Sequence, residues 1–182
     1  MGRELNSGPV EPAALSFSKE MVLLVDSVTL RFRHEPGPMT SSSWLYIPER
    51  KMLFTGDSIV VKTHPPIAQL LCDEWIDSLE ALLRHDEAID IIVPGRGPLT
   101  DMSAAQPIID YLKLAKSLVQ MEIDAGNPPL QLEQHVGELI DCFPVGNLPI
   151  EWLRAQILKG LERIYQDIWV ESSIDSSVLE QG

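Results

Sequence analysis

Residues of the kinds that mark particular functions are scarce in this 182-residue chain. It holds two cysteines, four histidines, and 14 Lys plus Arg against 27 Asp plus Glu, a net charge of −13. The shortage of cations excludes a nucleic-acid surface, because phosphate repels such a balance and no compact basic patch occurs. The same shortage argues against docking on an anionic membrane face. Apolar runs such as residues 21–25 and 89–93 (the latter broken by Asp90) fall far short of the roughly 20 residues needed to cross a bilayer. The opening residues contain no apolar segment of signal-peptide type, and Asn6 stands where a myristoylation motif wants Ser or Thr. These features predict a cytoplasmic protein. Cys72 and Cys142 lie far apart and outside any metal-ligand spacing, so two reduced, mostly buried thiols are expected, with a disulfide left open.

What is present suits a globular protein: 45% apolar and 23% charged residues, enough for one domain with a helical appendage. Residues 1–16 read as an irregular lead-in. Residues 21–25 and 28–33 flank Asp26-Ser27 and predict a β-hairpin whose second arm alternates, Val28, Leu30 and Phe32 facing one way, Thr29, Arg31 and Arg33 the other. A Pro-, Gly- and Ser-rich loop follows, then a strand over 44–47, a turn, and a strand over 52–55 that ends in Gly56-Asp57. Over 66–84 the period becomes helical, with Ile67, Leu70, Leu71, Trp75, Leu79, Leu82 and Leu83 on one face, and Trp75 reads as core. Residues 89–93 predict a short strand buried on both faces. Three helices are expected after it: one from Thr100 or Asp101 to about Ala125, one over 130–143, and one opened by Pro149 and running to about Trp169. The tail, 171–182, reads as flexible.

Three loops interrupt this pattern at strand ends: His34-Glu-Pro-Gly-Pro-Met-Thr40, Phe54-Thr-Gly-Asp57 and Val93-Pro-Gly-Arg-Gly-Pro98. Each is weak alone, since Pro-Gly and Gly-Asp turns are common. In this order, with the hairpin Trp-Leu-Tyr-Ile-Pro-Glu-Arg-Lys-Met-Leu-Phe between the first two, they resemble the metallo-β-lactamase superfamily, in its glyoxalase-II-like branch. That family reads His-x-Pro-Gly-His-Thr, then Phe-Thr-Gly-Asp, then Pro-Gly-His-Gly-Pro. The resemblance covers about residues 17–101, with a helical part over 102–170 that looks like the family's C-terminal extensions. It implies an α/β fold: half of an αββα sandwich followed by a helical extension.

The resemblance also implies a metal site, commonly zinc, that lowers the pKa of a bound water to give a hydroxide nucleophile. Here the sequence departs from the family. No His-x-His-x-Asp-His segment occurs. Pro38 stands at the ligand histidine of the first motif, and Arg96 at that of the last. Asp57 alone matches a ligand position. Proline has no donor side chain, and a guanidinium stays protonated and does not coordinate a cation. No metal cofactor is therefore expected. His34, at the leading histidine of the first motif, is expected to orient its loop through a backbone hydrogen bond. His64 reads as a solvent-exposed loop residue near the former site, and His34 and His64 are the possible accessory residues. His85 is expected to offset a helix dipole, and His135 has no ligand partner four residues away. Ser41, Ser42 and Ser43 lack a nucleophile elbow and read as loop serines.

Two functions follow as alternatives. One is a catalytically inactive binding or scaffolding module. The other is a metal-dependent thioester or ester hydrolase, with zinc, whose site is completed by a missing N-terminal half or a partner chain. A lone sheet of the sandwich exposes an apolar face, the side bearing Val28, Leu30 and Phe32 or its opposite. A homo-oligomer or a partner chain covering that sheet is therefore expected. The stripe Ile150, Leu153, Ile157, Leu161, Ile164, Ile168 offers a second pairing surface. Arg96 is expected to pair with Asp57 as a two-pronged replacement for the metal.

Overall fold

A computed structural model describes residues 14–68 and 72–179, with side chains to residue 170. Most of the expected lead-in, together with Leu70 and Leu71, lies outside the described residues. One five-stranded sheet runs in simple order: β1 (Glu20–Val25), β2 (Val28–His34), β3 (Ser43–Ile47), β4 (Met52–Val60) and β5 (Ile91–Arg96). The first four strands pair antiparallel and β5 pairs parallel with β4. Tight turns set this meander. Asp26 turns β1 into β2 with φ of 54°, and Lys51, at 49°, closes the short 3₁₀ turn Pro48–Arg50 before β4. These are left-handed conformations, open to unbranched residues in turns and closed to β-branched ones.

Helix α1 (Cys72–Leu83) forms the crossover to β5. Residues 66–68 lie outside it, so it starts later than the sequence period suggests. Asp101 then caps the C-terminal helical layer: its carboxylate accepts the Ser103 N–H at 2.8 Å ahead of α2 (Ala105–Asp124). The segment expected as one helix over 130–143 is split. Pro129–His135 is 3₁₀, and α3 is only Val136–Asp141. Helix α4 (Ile150–Leu179) continues past the expected end at Trp169.

The core lies between the sheet and these helices. From the sheet come Trp44, Tyr46, Leu53 and Ile92; from α1, Trp75, Leu79 and Leu82; from α2, Ile108, Leu112 and Ala115. Trp75 is fully buried, as its helical spacing implies, and its indole N–H donates to the Ser58 carbonyl at 3.1 Å. Leu153, Ile157, Leu161 and Ile164 of α4 are also buried, against α2 and α3. The stripe expected to pair two chains is thus used within one, because a helix with so broad an apolar face packs on whatever layer lies nearest.

Among the described residues, the opposite sheet face carries no helix. Strand register places Met21 beside Phe32, Leu23 beside Leu30, Val25 beside Val28, and Phe32 beside Leu45. Leu45 adjoins Phe54, Ile47 adjoins Met52, and Met52 and Phe54 adjoin Ile91 and Val93. None of these residues is buried. Phe17 lies against Phe32, ring centroids 6.2 Å apart. Strand β5 is accordingly buried on its helix side only, at Ile92, and not on both faces as its composition suggests.

Candidate functional site

The three Gly-rich loops meet at one end of the sheet, and glycine is what lets them meet. Gly56, with φ of 54°, interrupts the β4–β5 register and swings Asp57 toward β5. A Cβ on Gly95 would overlap Asp57 Oδ1, and one on Gly97, with φ of 97°, would overlap the Val61 carbonyl oxygen. Next to them, a Cβ on Gly37 would stand 2.8 Å from Ser58 Oγ. The Val61 N–H donates to the Arg96 carbonyl at 2.9 Å and fastens the last loop to the end of β4.

Pro38, Asp57 and Arg96 are brought together here and line one cleft of about 400 Å³. Arg96 Nη2 donates to Asp57 Oδ2 at 2.9 Å, so the expected pair forms. It departs from expectation in two respects. A single N–H···O contact joins the groups in place of a two-pronged one, and the side chains are 44% and 37% exposed. The loops stop at the sheet end, so one side of the pair faces the open cleft, and solvent screening weakens it accordingly. On the far wall, the first turns of α4 supply Trp152 and Gln156, one helical turn apart. Met39, Ser42 and Ser43 complete the near wall.

The donor set does not fit a metal ion. Pro38 offers no atom, Arg96 places a cation beside the carboxylate, and among the described residues no three His, Cys, Asp or Glu side chains gather around one point. No chemical step through a metal is derived for this chain.

His34 Nε2 reaches the Thr40 carbonyl at 2.6 Å and closes the first loop, as expected. Ser42 Oγ accepts the Met39 N–H and Ser43 Oγ donates to the Ser41 carbonyl, which makes them loop-shaping serines. In the same loop Glu35 carries a raised pKa, because burial outweighs the pull of Arg33. His64 corrects the sequence reading. It is 2% exposed, not in solvent, because Pro65-Pro66 turns the chain under α3 and α4. Its Nε2 bonds the Ile140 carbonyl at 2.9 Å, and its ring meets Tyr111 and Phe143 edge-on at 5.9 and 5.7 Å. Burial lowers its pKa, and the same cause pushes the Tyr111 phenol up. His85 sits against Arg33, 2.8 Å away, away from the cleft.

A second polar cluster escaped the sequence reading. Glu122 of α2, an acidic residue that no sequence motif marks, is 4% exposed and accepts hydrogen bonds from Asn127 at 2.7 Å and Gln134 at 3.0 Å, with His135 Nε2 at 2.7 Å. The hydrogen bond to His135 leads in holding its carboxyl below the ordinary range. His135 finds its partner 13 positions back, across the 3₁₀ turn, not at helical spacing. The available signal was the shared face of Glu122 with Leu118 and Val119. The cysteines are both free: Cys72 is buried, its thiol pushed up to about 12 mainly by burial, whereas Cys142 is exposed, contrary to expectation, at the open end of α3.

No protein-family model matches the sequence, and no curated protein matches it. Solved structures do. A metallo-beta-lactamase family protein from Thermus thermophilus superposes with a TM-score of 0.60 at 18% identity, over 86% of this chain and 50% of that one. The stereoselective inverting sec-alkylsulfatase Pisa1 from Pseudomonas sp. gives 0.58 at 16% identity, over 87% of this chain and 27% of that one. The DIM-1 metallo-beta-lactamase gives 0.50 at 24% identity, over 58% of this chain and 50% of that one. The chain thus spans 27–50% of the length of these structures. At such identities the likeness establishes the fold: the chain carries part of the metallo-β-lactamase fold, an α/β arrangement with a C-terminal helical layer.

Proposed function

We propose that this chain is a non-catalytic binding or scaffolding module built on a hydrolase-type fold. The observation that carries the reading is the Asp57–Arg96 pair: a guanidinium stands 2.9 Å from the one carboxylate that the ligand motif retains. A cation in that place opposes a metal cation, and Pro38 adds no donor. In this reading the cleft binds a small ligand and the open sheet face binds protein. That face has apolar neighbours across all five strands, none of them buried, which suits a contact surface. Its occupant is a second copy of this chain or a partner chain. Nucleic acid and membrane are not partners, and the compartment is the cytoplasm.

Elemental analysis of the purified protein together with its native mass tests the reading. We expect less than about 0.1 equivalent of zinc, iron or manganese after dialysis, and a dimer or larger closed oligomer. One equivalent of retained metal refutes the module. The uncovered sheet face supports one alternative, a metal-dependent thioester or ester hydrolase whose remaining ligands come from a further N-terminal half or another chain. Zinc-dependent ester cleavage, appearing only when such a half is supplied, would favour it.

A further inference from the structure

We propose that the cleft takes a small organic carboxylate with an apolar body, an assignment that rests on the reading of the cleft as a binding site. Arg96 commits one N–H to Asp57, and its other guanidinium donors bond no described residue. Trp152 and Gln156 share with Arg96 the lining of both this cleft and a smaller recess of about 30 Å³ that reaches His64. Neither the Trp152 indole N–H nor the Gln156 amide has a partner among the described residues. Three donor groups therefore surround one region. Of the acceptors opposite, Asp57 Oδ2 receives Arg96 and Ser42 Oγ receives the Met39 N–H.

The open donors, one of them a cation, suit a ligand head that only accepts, and a carboxylate is such a group, with charge assistance from the guanidinium. A phosphate-sized charge suits the place less well, because the Asp57 carboxylate stands beside it in a chain of net charge −13. The remaining wall is apolar: Pro38, Pro66, Ala68, the Met39 side chain at 53% exposure and the Trp152 ring at 47%. Exposed Met and Trp on one cleft give an apolar body a place to lie.

Phenylacetate is a suitable probe, with phenylacetamide and phenethylamine as shape-matched controls. Binding is followed on the full chain by ¹H–¹⁵N spectra, the Trp152 indole signal being identified by its loss in Trp152→Phe. Phenylacetate is expected to shift that signal saturably and the controls to leave it in place. Arg96→Gln should weaken binding about tenfold, and Gln156→Ala about threefold, with spectral dispersion retained. Asp57→Asn should leave binding equal or tighter. Equal or better binding of the amide or amine would overturn the proposal, as would absence of a saturable shift or indifference to both Arg96→Gln and Gln156→Ala. The two readings separate on zinc. Phenylacetate failing to bind a chain that takes up no zinc removes the ligand class alone, whereas stoichiometric zinc with ester cleavage removes the module.

Discussion

The Asp57–Arg96 contact has the geometry of an ion pair and the exposure of a surface one. An exposed pair is worth about 0.2–1 kcal/mol, far less than a buried one. Arg96→Ala should therefore lower stability by less than about 1 kcal/mol in urea unfolding, and by less still in an Asp57→Asn background, where no carboxylate is left unpaired. A loss of several kcal/mol would contradict the half-exposed geometry. The glycines beneath the pair matter more. Gly97 combines φ of 97° with a Cβ position already filled by the Val61 carbonyl. Gly97→Ala should cost about 1–3 kcal/mol from the backbone alone, with more from the overlap, measured in the same unfolding series. The cleft is thus held by main-chain fit, and the charges on it are free to vary.

Among the elements, α3 and the loop before α1 are joined through His64, whose ring is enclosed and whose Nδ1 bonds no described residue. Burial lowers its pKa, so below about pH 6.5 the unfolded chain binds a proton that the folded one resists. This part of the stability is complete above pH 6.5 and falls as the pH drops toward the folded value. Glu122, whose pKa is lowered by its partners, adds a second loss below about pH 4.5. Melting temperature should decline between pH 6.5 and 5, and His64→Gln should flatten that portion while leaving the steeper fall at lower pH. The interior of α4 predicts more simply. Leu161 is fully buried, so Leu161→Ala should cost about 2–5 kcal/mol by thermal or urea unfolding. Periodicity made most of these elements readable. The alternation in β2 and the spacing of α2 and α4 report a local property, which face is apolar. What they face is not local. Nothing at His64 marks burial, because Pro65-Pro66 settles only the backbone and the covering rings come from Tyr111 and Phe143. Glu122 and His135 meet across a 3₁₀ turn that no heptad or helical count anticipates. Asp57 and Arg96 were readable as partners because both loops keep their glycines, yet how open the pair lies depends on where α4 begins.

For the whole molecule, one sheet face is covered by helices and the other bears apolar side chains from all five strands. Introducing charge there should change association without unfolding the chain. Leu45→Lys with Phe54→Glu should reduce the native mass of an oligomer to that of the single chain, while far-ultraviolet circular dichroism stays the same. An oligomer of unchanged mass would place its contact elsewhere. Strand order has a consequence of another kind. Strands β1 to β4 are neighbours in sequence, so their pairing closes short loops, whereas β5 joins β4 only after the segment 61–90 has been spanned. Closing the longer connection carries the larger entropy cost, which makes a meander-first order the faster route. Every glycine contact between the β4 end and the last loop, Gly95 on Asp57 and Gly97 on Val61, lies on that late junction. The cleft is then the last part of the sheet to exist during folding, and in a nascent chain it forms only once the carboxyl-terminal half has emerged and docked.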